Sequence, residues 1–148
     1  MNVEKILKTD KKIPLERRTI IHFSLVHNKI SDTANAALRP FGVSIQQFNV
    51  LRILRGQKGR PANLSTLNER MVTKMSNTTR LVDKLILKGL VDRKVCPSNR
   101  RKVEIRITEE GEKMLLQMDK AMEQAENEIL ANLDRDDLTK LNALLDKF

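Results

Sequence analysis

Aromatic side chains are almost missing from this chain, which has no Trp, no Tyr and only four Phe among 148 residues. A core of aromatic clusters on sheets is thereby excluded. The apolar 40% of the chain must pack as Leu, Ile, Val and Met on helices. Cys96 stands alone, so no internal disulfide can form, in agreement with a reducing compartment. No apolar run approaches the ~20 residues of a membrane span. The first residues, with Lys5, Lys8, Lys11 and Lys12 among polar neighbours, lack the apolar stretch of a secretory signal. A cytoplasmic protein with no membrane partner is expected. Also missing are a Gly-rich phosphate loop, a Cys/His metal spacing and a nucleophile beside a base. His22 and His27 cannot share a helix face, because five positions turn them apart by about 140°. The expectation is a protein without catalytic residues, metal or cofactor, and not an enzyme.

What the chain does have is charge, unevenly placed. Residues 58 to 106 hold 13 Lys or Arg against 4 Asp or Glu, whereas the remainder carries 15 of each, so the net charge of +9 maps to one third of the sequence. Residues 107 to 148 are acidic, with 11 acids against 5 bases. A concentrated positive field suits a duplex nucleic acid, because neutralising phosphates releases condensed counterions and supplies most of the affinity.

Periodicity divides the chain into elements. From Leu15 to Leu38, Ile20, Phe23, Ile30, Ala34 and Ala37 keep helical spacing until Pro40 forbids further helix. Ser44 and Gln47 have capping-box spacing before a helix with Phe48, Leu51 and Leu54, which Gly56 is expected to close in the left-handed conformation. Residues 57 to 63 read as a loop, and Asn63 as the cap of a short helix bearing Leu64, Leu67 and Met71. After a turn at Met71 to Thr73, Thr73 is expected to cap a helix running to Lys88 and stopped by Gly89. Met75, Leu81, Val82 and Leu85 line one side of it; Asn77, Arg80, Lys84 and Lys88 line the other, with Ser76 and Thr79 beside them.

Past Gly89 the period changes to two. Val91, Arg93 and Val95, then Val103, Ile105 and Ile107, mark a hairpin with residues 96 to 100 as its tip. Thr108 is placed to cap a long helix that opens with Glu109, Glu110 and Glu112, where the dipole favours acids. Its stripe is Leu115, Met118, Met122, Ala125 and Ile129, and a last helix starts near Asp134.

Helix, turn, helix and hairpin make a mainly α fold, a winged helix-turn-helix with a two-stranded β-wing, in which the second helix enters the major groove. Asn77 can pair with adenine and Arg80 with guanine, while Lys74, Ser76, Thr79 and Lys84 suit phosphate or single-bond contacts. Arg100 and Arg101, beside Lys102, suit the minor groove. One such unit spans too few base pairs for tight specific binding, and the flanking helices carry apolar stripes one small domain cannot satisfy. These flanks are therefore assigned to a homodimer that sets two recognition helices one DNA turn apart, roughly 34 Å, on a pseudo-palindromic operator. The expected organisation is an N-terminal dimerisation helix and arm over 1–42, a DNA-binding lobe over 43–108 and C-terminal dimerisation helices over 109–148, intertwined as a single domain.

The chain resembles the MarR family of bacterial transcription regulators. The resemblance runs from Ser44, Gln47 and Leu51, through Ser76 to Leu85 and Lys88, Gly89, Leu90, Val91 and Arg93, to Asn99, Arg100, Arg101, Thr108 and Gly111. It implies a homodimer joined through terminal helices, a repressor more often than an activator, and a small-molecule effector. Carried over by position, Ser76, Asn77, Thr79 and Arg80 match recognition-helix residues, and Arg101 the wing arginine that enters the minor groove. Two positions depart from the family pattern: Asn99, where an Asp is usual, and Thr78, usually aliphatic, whose hydroxyl is expected to back-bond to the Lys74 carbonyl. Two other functions compete with an effector-released repressor. One is a thiol-based redox regulator using Cys96, whose thiolate Arg93, Lys94 and Arg100 would favour. The other is a winged-helix module for protein or RNA.

Overall fold

The computed structural model describes residues 1–72, 77–96 and 99–148, with the backbone alone for Cys96 and residues 100–102. Among the described residues the elements are α1 (Val3–Ile6), α2 (Leu15–Leu38), α3 (Ile45–Gly56), α4 (Leu64–Arg70), α5 (Thr78–Leu87), β1 (Val91–Cys96), β2 (Asn99–Ile107), α6 (Glu109–Leu130) and α7 (Arg135–Leu145). Pro40 ends α2 as expected, in a 3-10 turn over Arg39–Phe41. Two compact units result, one from residues 1–34 and 125–148, the other from residues 35–124.

The second unit is the winged helix-turn-helix. Ser44 and Gln47 form the capping box reciprocally, the Gln47 amide donating to Ser44 Oγ at 3.2 Å and the Ser44 amide to Gln47 Oε1 at 3.0 Å. The helix it opens buries Phe48, Val50, Leu51 and Leu54 against Leu67 of α4, Val82 and Leu85 of α5, Ile105 of β2, and Leu115 and Met118 of α6. Gly56 does not close α3 in a left-handed conformation. It stays helical, and the positive φ values fall two and three residues later, at Lys58 (52°) and Gly59 (81°). The loop that follows is also more ordered than its breakers suggest. Ala62 exchanges both backbone hydrogen bonds with Ile105, at 2.9 and 2.8 Å, an isolated antiparallel bridge that ties the loop to the two-stranded wing.

Asn77, not Thr73, is the N-cap of α5, with a non-helical backbone (φ −141°, ψ 50°) that rules out one continuous helix through this position. Thr73 and Met75 lie outside the described residues. At the other end Gly89 (φ 71°) does stop the helix. Its amide donates to the Ile86 carbonyl and the Leu90 amide to the Leu85 carbonyl, at 2.9 and 3.0 Å, the paired bonds of a Schellman cap that turns the chain into β1. The hairpin tip is tighter than expected. Cys96 pairs with Asn99 across a shift in register from the Val95–Val103 pair, so Asn99 and Arg100 belong to β2, and only Pro97 and Ser98, outside the described residues, connect the strands.

Thr108 caps α6 as its spacing predicts, accepting from the Gly111 amide at 3.0 Å, while its own hydroxyl donates to the Gly89 carbonyl at 2.7 Å. The backbone passes so close here that a methyl group at Gly111 would stand 2.2 Å from the Leu90 carbonyl oxygen and 2.8 Å from Ile107 Cγ1.

The first unit contains α1, which periodicity did not reveal because it is a single turn. Asn2 caps it, Val3 is fully buried, and Glu4 accepts a 3.0 Å hydrogen bond from Arg18 Nε on α2. Phe148 meets the Phe23 ring edge to face at 5.5 Å. Asp134 and Asp137 form a second capping box at the start of α7. Even so, α7 buries none of its residues, and Leu15, Ile20, Val26 and Ile30 of α2 remain exposed.

Two outcomes follow from these contacts. Gly111→Ala should lower stability by about 1–3 kcal/mol, because backbone and not a flexible side chain opposes the added methyl; an unchanged denaturation midpoint would show that the junction is looser than described. The Glu4 carboxyl is held below its ordinary 4.5 by its backbone amide and by Arg18. Its contribution is therefore present above pH 4.5 and is lost as pH falls through the lowered folded value. Protection factors of α1 amides, measured against the intrinsic exchange rate at each pH, should fall on acidification over that range, and Glu4→Gln should flatten the dependence.

Candidate nucleic-acid interface

The helix pair α4–α5 is held from within. Val82 and Leu85 are fully buried, and Thr78, buried at the first turn of α5, donates its hydroxyl hydrogen to Asn68 Oδ1 on α4. The expected bond from Thr78 to Lys74 is thus replaced by a bond between the two helices. This explains a polar residue at an inward position: its hydroxyl has a partner across the turn. Sequence spacing could not reveal this, since Asn68 reads as one more polar residue on a short helix.

With the inward face fixed, Asn77, Thr79, Arg80, Lys84 and Lys88 are all exposed. The structure therefore brings five of the cationic or polar residues singled out in the sequence to the solvent side of one helix and its cap. Asn77 also has a structural task, its Oδ1 accepting from the Arg80 amide at 3.3 Å. That leaves Nδ2 and one lone pair of Oδ1 for any other partner. Lys74 and Ser76 lie outside the described residues, as do the side chains of Cys96, Arg100, Arg101 and Lys102. For the last three the backbone still fixes their place, near the far end of β2.

Ion pairing within the basic block is selective. Asp83 takes Arg93 at 2.7 Å, Asp92 takes Lys94 at 3.3 Å and Glu104 takes Arg106 at 3.4 Å. Arg106 also donates to the Gly59 carbonyl at 2.5 Å, tying the wing to the loop after α3, and Glu69 accepts from Ser65. The acids of the block are thus spent on the wing body and on α4. Among the described residues, Lys58, Arg60, Arg70, Arg80, Lys84 and Lys88 take part in no ion pair. Their field projects outward, since exposed cations without partners are neutralised only by solvent ions.

Residues 43–103, the stretch built from α3, α4, α5 and the wing, match the MarR family. The winged-helix lobe is similar to the MarR family. The wild-type MarR of E. coli is 29% identical over 93% of this chain and 98% of that one, with a TM-score of 0.70. A MarR transcription factor from Planctomyces limnophilus is 27% identical over 93% of this chain and all of that one, with a TM-score of 0.73. The BpsR regulator of Bordetella bronchiseptica, whose DNA binding is regulated by 6-hydroxynicotinic acid, shares the fold at a TM-score of 0.79 and 18% identity, over 93% of this chain and 96% of that one. The first two of these relatives are named as MarR proteins or transcription factors, and the likeness to them extends over more than nine-tenths of this chain. Among the described residues no helix is long and apolar enough to cross a membrane.

Because Thr78 and Asn68 join the two helices of the motif, Thr78→Val and Asn68→Ala should each cost roughly 1 kcal/mol. In a double-mutant cycle their effects should overlap by a similar amount, and Thr78→Ser should retain the bond. Strict additivity in denaturant titrations would mean that the pair contributes nothing.

Proposed function

We propose that the protein is a homodimeric repressor that binds duplex DNA in a sequence-specific manner and is released by a small-molecule effector. The observation that carries the DNA-binding part is the exposed row Asn77, Thr79, Arg80 and Lys84 on α5, cationic and free of ion pairs, while the opposite side of the helix is locked into the core. Arg80 is the base-reading candidate, with a guanidinium fork that matches the O6 and N7 acceptors of guanine. Asn77 adds a donor for adenine. Thr79, Lys84, Lys74 and Ser76 serve phosphates, and Arg100, Arg101 and Lys102 at the end of the wing follow the minor groove.

Dimerisation rests on the first unit. Leu15, Ile20, Val26 and Ile30 of α2 and Leu141, Leu144 and Leu145 of α7 form exposed apolar faces that water solvates poorly. A second copy would cover them and place two recognition helices about 34 Å apart on a near-palindromic operator. Residues 1–42 and 109–148 then serve as the dimerisation region and 43–108 as the DNA-binding lobe. Release by an effector is supported by relatives of the same fold, BpsR with 6-hydroxynicotinic acid and an organohalide-sensing regulator bound to 2,4-dichlorophenol.

A mobility shift on the DNA upstream of its own gene tests the reading. The wild type should bind as a dimer with a steep salt dependence, log affinity falling by about 0.9 per neutralised phosphate for each unit of log salt. Arg80→Ala should weaken binding by about 1–3 kcal/mol, while His22→Ala should leave it unchanged. Absence of any duplex preference at low salt, or a monomer in sedimentation equilibrium, would sink the proposal.

A further inference from the structure

A cavity of about 300 Å³ lies on the side of α3 away from the core, lined by Asn49, Arg52, Ile53 and Gly56 of that helix and by Arg70 and Val72 at and just beyond the end of α4. Its volume is at the lower end for small-molecule sites. The lining has two guanidinium groups from different helices and no carboxylate. Neither Arg52 nor Arg70 takes part in an ion pair among the described residues. Arg52 is held over the Phe48 ring, its guanidinium carbon 5.6 Å from the centroid, so its charge is placed before any ligand arrives. Ile53 offers an apolar wall, Gly56 leaves space, and Val72 exposes 94% of its surface at the rim.

From this convergence we infer that the cavity is a ligand site for a small dianion of the phosphate-monoester type carried on an apolar group. Two positive charges without an acid among them, one of them held over Phe48, match a group of charge near −2, and a guanidinium fork pairs with two of its oxygens at once. Ile53 and Val72 then cover the apolar part, and the Asn49 amide can donate to a remaining oxygen. The site also has a route to the proposed DNA surface. Val72 lies just beyond α4, which is bonded to α5 through Asn68 and Thr78, so a ligand that shifts the end of α4 biases the position of α5 by its differential affinity for the two arrangements. The inference thus rests on the regulator reading for its consequence, though not for binding itself.

Calorimetric titration of the full-length protein without DNA separates the two. Phenyl phosphate should bind, with phenol and inorganic phosphate each at least about tenfold weaker, since each lacks half of the match. Arg52→Gln and Arg70→Gln should each weaken phenyl phosphate by about tenfold or more, and Val72→Ser should weaken it without altering the response to inorganic phosphate. Both arginines are exposed, so unchanged melting temperatures are expected and serve as the folding control. No heat at millimolar phenyl phosphate, equal binding of inorganic phosphate, or indifference to both arginine variants would overturn the site. So would a loss of DNA affinity in those variants with no ligand binding in the wild type, because the arginines would then be backbone contacts. Failure of the mobility shift alone would remove the regulatory consequence and leave the ligand site standing.

Discussion

The peptide at Leu90 is where the parts of the winged-helix lobe are joined. Its amide completes the Schellman cap on the Leu85 carbonyl, and its carbonyl accepts from the Thr108 amide at 3.1 Å. Gly111 brings the first turn of α6 against that same carbonyl, and Thr108 bonds the neighbouring Gly89 carbonyl. One short stretch therefore ends α5, begins the wing and fixes where α6 starts. Leu85 and Leu90 are both buried beside these bonds, so separating the polar contacts would also open apolar surface. The angle between α5 and the wing follows from this junction, and that angle sets how the exposed cations of α5 stand relative to the strands.

Charge is distributed on the frame this creates. The acids near the wing, Asp83, Asp92 and Glu104, are matched to Arg93, Lys94 and Arg106, which lie on the strands or reach back to the Gly59 loop. These exposed pairs add little stability each. Their larger effect is on the field, because cations at the base of the wing are cancelled while Arg80 and Lys84 on α5 are not. The N-cap at Asn77 gives the same helix a defined start, with its oxygen on the Arg80 amide and its nitrogen left over. A residue expected to read DNA thus also holds in place the backbone of its neighbour.

Much of this was legible from residue order. Helix periodicity located α2, α3, α4, α6 and α7, the Ser44–Gln47 box and the Asn63 and Thr108 caps are local hydrogen bonds with fixed spacing, and the charge block marked the interface before any coordinates. Less legible were features that depend on partners distant in sequence. Ala62 sits among loop-forming residues, yet pairs with Ile105; Thr78 finds Asn68; and the left-handed residues after α3 fall at Lys58 and Gly59, because the helix continues through Gly56. The single turn α1 is too short to show a period, and only the burial of Val3 and the Glu4–Arg18 bond define it.

By itself the sequence determined the longer elements, their order, the caps at Ser44, Asn63, Gly89 and Thr108 and the location of the positive charge, since each is encoded in spacings of a few residues and in local backbone preferences. The tertiary structure alone decided which cations remain unpaired, which polar side chains meet across the helix pair, and that Arg52 and Arg70 face one cavity. The physical reason is range: a cap or an amphipathic stripe is satisfied within one or two turns of its own helix. An ion pair, a lone backbone bridge or a ligand pocket needs residues brought together by the packing of the whole lobe.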